Sequence, residues 1–322
     1  MSGANVWALI LAAGEGSRLR GLTTTPGGLS VPKQFCSLQG GASLLEETLR
    51  RAESVAQRRR MVTVVAAQHR RWWEAPLWSA EPENVIVQPE NKGTAPGLLL
   101  PLLHIVRRDP NATVVVLPSD HFVRQEDVLA RGLQQAARLA RIDHQHVYLL
   151  GLVPDEIDPE LGYILPDDQS ALAAASVRRF IEKPSIGVAR DLVQGGALWN
   201  VFILAASARA LLGLYASRYP SLIADMNRAV EQDGHYSLDA NAARALYPQL
   251  PTLDFSRDVV QGQESRLRVL TVPACGWSDL GTPQRVADTL SRIAKQSNSA
   301  QDPSHTAYLS LAAQHSRQHY AT

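Results

Sequence analysis

The sequence predicts an α/β protein, an open, mostly parallel, doubly wound sheet with a smaller second part. Three observations predict it. Between Val6 and Leu150, short apolar runs rich in Val, Ile and Leu alternate with stretches whose apolar residues recur at helical spacing. The first run, Val6 to Ala12, drops abruptly into a glycine loop, G-E-G-S-R at 14–18. The clearest run, T-V-V-V-L at 113–117, ends on the turn P-S-D-H. Strand and helix alternating at these lengths imply parallel pairing through right-handed crossovers. Such a sheet binds ligands beyond the carboxyl ends of its strands, so the two turns fall on one edge, distant in sequence and near in space.

Each element has its own signal. Ser43, followed three residues later by Glu46, is a capping box, and the helix it opens is expected to reach Ala56. Met61 to Ala67 predicts a strand, the region 68–79 around Trp72 and Trp73 a short amphipathic helix, and Asn84 to Val87 a strand. Thr94 can cap a helix reaching Arg108, with Pro96 in its tolerated first turn and Pro101 as a kink. A helix over 127–141 and a strand over 146–150 complete this half. After Gly151 the pattern loosens. Strands are expected at 176–181, 199–204 and 267–272, and helices at 185–194, 207–215, 221–231 and 282–295. The expected division is one unit over 1–295, with halves at about 1–150 and 151–295, then a tail over 296–322. His305, His315 and His319 are too irregularly spaced for a metal site and read as solvated tail residues.

Composition excludes several classes. The chain has 322 residues, 45% hydrophobic and 20% charged, enough to bury a sheet with helices on both faces. A formal net charge of +1 offers no global electrostatic case for nucleic acid or an acidic membrane. No run approaches the roughly 20 apolar residues of a membrane span, and the N-terminus lacks the basic-then-apolar pattern of an export signal. Cys36 and Cys275 therefore read as free thiols, and the expected location is the cytoplasm.

A strand feeding a glycine loop that ends in arginine is a phosphate cradle. Gly14 and Gly16 let backbone N–H groups approach an anion, and Arg18 adds a charge that cannot titrate away. The loop matches neither common fingerprint. A dinucleotide site needs glycine where Leu19 stands, and no Gly-Lys-Ser/Thr follows as a Walker loop requires. The chain is expected to stay irregular from Arg18 to about Phe35, a long loop with Arg18 at one end and Lys33 at the other.

Asp120 and Asp279 each close a strand at a turn. Two carboxylates delivered from separate strand ends suit a magnesium ion that bridges phosphate oxygens; taken singly, each is more often a cap or turn residue. Gln88 and Asn91, in Q-P-E-N-K-G-T-A-P at 88–96, carry amides able to read a base edge, ahead of Gly93 and Thr94 at a helix start; a plain strand-to-helix turn has the same pattern. Glu182 and Lys183 could serve a sugar hydroxyl and a phosphate, or form an exposed ion pair, and Asn200 could read a hydroxyl or sit on a strand edge.

Eight motifs, L-A-A-G-E-G-S-R-L, P-K-Q-F, Q-P-E-N-K-G-T-A-P, P-S-D-H, G-Y-I, F-I-E-K-P, W-N and W-S-D-L-G-T, run in the order found in sugar-1-phosphate nucleotidyltransferases. From Ala8 to about Thr282 the chain resembles this family, and most of all its mannose-1-phosphate guanylyltransferases. The resemblance implies a Rossmann-like nucleotidyltransferase fold with a nucleotide-binding and a sugar-phosphate-binding half. It implies that Ala12, Ala13, Gly14, Gly16, Ser17, Arg18 and Ser119 hold the nucleotide with Lys33 reaching its phosphates, and that Gln88, Asn91, Gly93 and Thr94 surround the base. Gly162, Glu182, Lys183 and Asn200 would surround the sugar phosphate, and Asp120 and Asp279 would bind catalytic Mg2+. Arg18, Lys33, Asp120, Lys183 and Asp279 would be the catalytic set.

The reaction implied is attack by a hexose 1-phosphate oxygen on the α-phosphorus of GTP, releasing pyrophosphate. Such transfers depend on alignment and charge neutralisation rather than on a protein nucleophile. The partners implied are these two substrates, and a homodimer is compatible with it. The chain departs from the family's pattern at Lys92, where arginine is usual, at Val201-Phe202, where Ser or Ser-Gly usually follows W-N, and in the length between Arg18 and Lys33. No room is left for an appended isomerase domain, so a single activity is expected. The rival expectations are the same chemistry on another base or sugar, and a non-catalytic sugar-nucleotide sensor.

Overall fold

Successive residues of the first strand enter opposite cores. Val6, Ala8, Ile10 and Ala12 join one hydrophobic cluster, and Trp7 and Leu9 the other. A strand apolar on both faces has to lie in the middle of a sheet covered on both sides, and it does. The computed structural model describes residues 5–25, 27–167, 173–234 and 240–297. In chain order the strands are β1 (Val6–Ala12), β2 (Met61–Ala66), β3 (Val85–Gln88), β4 (Thr113–Pro118), β5 (Val147–Leu152), β6 (Gly162–Pro166), β7 (Ala175–Ile181), β8 (Leu198–Ser207) and β9 (Leu267–Val272). The α-helices are α1 (Arg20–Thr23), α2 (Leu44–Ala52), α3 (Arg70–Trp73), α4 (Thr94–Arg108), α5 (Glu126–Ile142), α6 (Ile186–Gln194), α7 (Ala208–Ala216), α8 (Pro220–Asp233), α9 (Asn241–Leu246) and α10 (Pro283–Ser297).

The strands form one sheet in the order β3-β2-β1-β4-β8-β5-β9-β7-β6. β1 pairs in parallel with β2 and β4, β2 with β3, and β5 with β9. β8 runs antiparallel to β4, β5 and β6, and β7 antiparallel to β6 and β9. Hence β1 to β6 and β9 share one direction, and only β7 and β8 oppose it. β8 is inserted between β4 and β5, so the second half is built into the sheet of the first.

α2, α3, α5 and α6 bury Leu45, Ala52, Trp73, Leu129, Leu133, Ala189 and Leu192 on one face. α4, α7 and α8 cover the other with Leu98, Leu102, Leu211, Leu214 and Met226. A third cluster, Leu19, Leu38, Leu44, Phe122, Leu280 and Val286, packs under α10. Leu19 ends the glycine loop and Leu280 follows Asp279, so burying each, at about 1.5–3 kcal/mol, fixes two loop ends at the ligand edge.

Most boundaries fall within two residues of expectation, and the exceptions are instructive. The region 68–79 forms only a short 3-10 turn and the four residues of α3, where amphipathic spacing predicts a longer helix. The segment between Arg18 and Lys33 is not irregular throughout: it contains α1 and a bridge between Thr24 and Ser30. α4 carries Pro101 in its interior and still reaches Arg108. Both cysteines are buried and free. Among the described residues no helix is long and apolar enough to cross a membrane. His305, His315, His319 and the tail beyond Ser297 lie outside the described residues.

Candidate active site

The glycine loop is set by the turn that follows it. Gln34, buried, donates from Nε2 to the carbonyl oxygens of Ala12 (3.0 Å) and Gly14 (2.9 Å), fixing the path of the backbone through Ala13. Gly16 has φ +60° and lies against the backbone of Lys33: a Cβ there would stand 2.9 Å from the Lys33 nitrogen, so only glycine fits. Ser17 opens a 3-10 turn whose last residue is Leu19. Ser119, at the end of β4, donates through Oγ to the Leu11 carbonyl (2.7 Å), tying the two carboxyl ends together. The Arg18 guanidinium meets Glu160 (3.2 Å), and both side chains are about half exposed, so this pair contributes little to stability.

Lys33 is the hub. It is buried, and its Nζ lies 2.7 Å from Asp120 Oδ2 while donating to the backbone oxygen of Asp279 at 2.6 Å. One ammonium thereby joins the ends of β4 and of the segment after β9, 246 residues apart in the second case. Burial pushes the Asp120 carboxyl up, but Lys33 and, less strongly, His121 outweigh it, and the carboxyl is held below its ordinary range. His121 is pushed down to about 4 by burial, which Asp120 opposes without overcoming. It is therefore neutral near pH 7. The Trp277 indole donates to His121 Nδ1 (3.2 Å), which leaves the proton on Nε2, 3.7 Å from Asp120 Oδ1.

The Asp279 side chain departs from expectation. Its backbone faces Lys33, but its carboxylate Oδ1 accepts from Arg285 Nη1 on α10 (2.9 Å), and Oδ2 packs over Gly281. Arg285 Nη2 also reaches Asp158 (2.8 Å) and Glu156 (3.0 Å), and its guanidinium lies 5.2 Å from the centre of the Trp199 ring.

The base-loop candidates form a second group on the carboxyl end of β3. Gln88 is buried and donates to the Glu90 carbonyl (2.8 Å), and the Asn91 side chain accepts from the Gly93 N–H (3.0 Å), closing an Asx turn. Gly93 has φ +84° and the Leu253 carbonyl directly over it, so a side chain there would collide with backbone. Thr94 Oγ1 accepts from the Phe255 N–H (2.7 Å) and donates to Asp254 (3.2 Å). The Lys92 ammonium donates to the Pro248 carbonyl (3.2 Å) and lies 3.5 Å from the Glu90 carboxylate.

The sugar-side candidates also converge. Gly162 pairs with Asn200 in the β6–β8 ladder, and its Cα faces the Glu182 carboxylate and the Asn200 amide. Asn200 Nδ2 lies 3.4 Å from Ser256 Oγ, and the Gln261 side chain accepts from the Glu182 N–H (3.0 Å). Burial, with Asp254 adding to it, pushes the Glu182 carboxyl up to about 7, against the pull of Lys183 and Arg257. Lys183 itself is exposed.

Strain falls in the same region. The non-glycine residues with positive φ among those described are Lys183 (+48°), Phe202 (+56°) and Leu280 (+49°), each within two residues of a sequence-predicted site residue. A short π-helical segment, Phe255–Val260, runs between the start of α4 and the Asn200 group, supplying Ser256 beside Asn200 while Asp254, just before it, meets Thr94. Sequence reasoning assigns no role to this segment or to Gln34, His121, Trp277 and Arg285. The first three of those residues lie inside the quoted motifs, the one signal that could have found them; Arg285 has none.

Residues 7–296 match the nucleotidyl transferase family. Among curated proteins, a mannose-1-phosphate guanylyltransferase of Escherichia coli (strain K12) is 27% identical over 295 residues, covering 88% of this chain and 59% of that protein. Xanthan biosynthesis protein XanB of Xanthomonas campestris pv. campestris is 28% identical over 291 residues, again covering 88% and 59%. The chain thus spans about three-fifths of the length of the curated relatives it matches. Among solved structures, a Thermus thermophilus protein described as a mannose-1-phosphate geranyltransferase is 23% identical, with a TM-score of 0.75 over 94% of this chain and 81% of that one. A likeness at that identity speaks for the fold. On the extent of the family match, this chain belongs to the nucleotidyl transferase family.

Proposed function

We propose that the residues at the carboxyl edge of the sheet join GTP to mannose 1-phosphate, giving GDP-mannose and pyrophosphate. The observation that carries this reading is the position of Lys33, whose ammonium bridges the Asp120 carboxylate and the Asp279 backbone beside the Gly14–Arg18 loop. The backbone N–H groups of Gly16 and Ser17, with Arg18 and Lys33, would hold the triphosphate and neutralise charge as the α-phosphorus is attacked. Arg18 would exchange its exposed partner Glu160 for phosphate at small cost. Glu182, once ionised, would accept a sugar hydroxyl, Asn200 would orient the ring, and Lys183 would meet the sugar phosphate. Gln88, Asn91, Gly93 and Thr94 would line the base.

Asp120 and Asp279 are the residues that would hold a magnesium ion. The donor chemistry would fit: both are carboxylates, hard oxygen ligands, and with the Asp279 carboxylate freed from Arg285 they would leave phosphate and water to complete the shell. When bound, the ion would supply further charge neutralisation on the phosphate oxygens. Support for guanine and mannose comes from the name of the Escherichia coli relative. A second nucleotide is favoured by one observation, the Lys92 side chain turned to Pro248 rather than offering a two-pronged donor to a base. Pyrophosphate release measured with four NTPs against several hexose 1-phosphates decides between them. GTP with mannose 1-phosphate is expected to give the highest kcat/KM; a different best pair would replace the substrates and keep the reaction, and binding without release by any pair would leave a sensor.

A further inference from the structure

Arg285 is held by more negative charge than it needs. Its one guanidinium meets the carboxylates of Asp279, Asp158 and Glu156 within 3.0 Å and lies over the Trp199 ring. Two of these carboxylates, Asp158 and Glu156, come from the segment after β5, and the third, Asp279, from the segment after β9. If Asp279 let go, Arg285 would still be doubly paired, so release would not strand a buried charge, the usual reason such a bond resists breaking. The Asp279 backbone is anchored separately, by the Lys33 ammonium on its carbonyl oxygen and by buried Leu280. The side chain can therefore turn while the main chain stays in place.

We propose that Arg285 is a latch on the metal site: it holds the Asp279 carboxylate on the α10 side, and a divalent cation entering beside Asp120 must take that carboxylate from it. Arg285 is thus a positioning residue, acting through Asp279 rather than on substrate. The inference rests on the reading of Asp120 and Asp279 as metal ligands. The latch keeps the cation affinity low until phosphate oxygens add their own ligation, which couples metal capture to nucleotide.

The test is Mn2+ titrated alone into the full chain, with free ion read by electron paramagnetic resonance. Arg285→Lys keeps the charge but loses the fork that reaches several carboxylates at once, and Arg285→Gln loses both. Each is expected to bind Mn2+ more tightly than the parent, by up to roughly tenfold, the scale of one charge-assisted hydrogen bond. Arg292→Gln removes the same charge from the same helix, where Arg292 meets only exposed Asp155 (3.3 Å), and is expected to leave affinity unchanged. Unchanged or weaker binding in Arg285→Lys overturns the latch, and so does equal tightening in Arg292→Gln, which would reduce the effect to net charge. Asp279→Asn separates the two levels: if it binds Mn2+ as the parent does, the metal assignment itself fails, whatever the arginine variants do.

Discussion

Lys33 is buried with two oxygen partners, and its removal has a directed consequence. Lys33→Met leaves Asp120 with its dehydration and without the main charge that offsets it, so the Asp120 carboxyl moves upward. At the same time the phosphate site loses a positioned cation. The expected result is a loss of roughly 10²–10³ in kcat with native circular dichroism, the scale seen when one preorganised charge-stabilising donor is deleted. Steady-state pyrophosphate release measures it; a loss below about fivefold would remove Lys33 from the catalytic set. Glu182 gives a prediction in pH. Its carboxyl is near 4.5 when unfolded and about 7 in the native chain, so between those values the native state binds the extra proton. Stability then falls as pH rises from about 4.5 to 7 and is flat above. Glu182→Gln should be more stable than the parent at about pH 8, by about 2 kcal/mol after discounting for partial exposure, and nearly equal at about pH 4.5, as read by urea unfolding. At this scale the sequence was legible where residues of one motif group meet in space: Gly16 and Asp120 both lie against Lys33, and Glu182 and Asn200 both face Gly162. Arg285 was illegible because its role depends on contacts with Glu156 and Asp158, well over a hundred residues away, and no local pattern encodes them.

Among elements, α2 shows how local signals survive folding. Ser43 Oγ accepts from the Glu46 N–H (3.3 Å) and the Glu46 carboxylate accepts from the Ser43 N–H (2.7 Å), the reciprocal box that the spacing announces. Ser43→Ala should lower stability by about 1 kcal/mol, seen as a shifted denaturant midpoint at constant slope, with kcat unchanged. A change below about 0.3 kcal/mol would mean solvent replaces the cap. β6 was harder to read. G-Y-I-L-P is five residues with glycine first and proline last, which local propensity counts against a strand. It becomes one because Gly162 admits Glu182 and Asn200 beside the backbone and because β7 and β8 supply ladders on both sides. The π-helical segment 255–260 combines both: Asp254 caps it locally by accepting from the Arg257 N–H (2.9 Å), and Thr94 and Asn200 tie it to the site.

For the whole molecule, composition and alternation predicted the α/β class and the ligand edge, while the strand order needed tertiary information. β8 is apolar on both faces, as any central strand is, and nothing in it says that it separates β4 from β5. That insertion sets the strand that carries Asn200 directly beside β4, the strand that leads into Asp120. In the proposed reaction the nucleotidyl group is transferred at the carboxyl edge of the sheet, with Asp120 at the centre of the site. Pyrophosphate release in Mg2+ by the parent and by Asp120→Asn tests it most directly. The parent should release pyrophosphate only when GTP and mannose 1-phosphate are both present, and Asp120→Asn should be slower by at least about a hundredfold while still binding GTP. Equal rates in parent and variant, or release that needs no sugar phosphate, would contradict it.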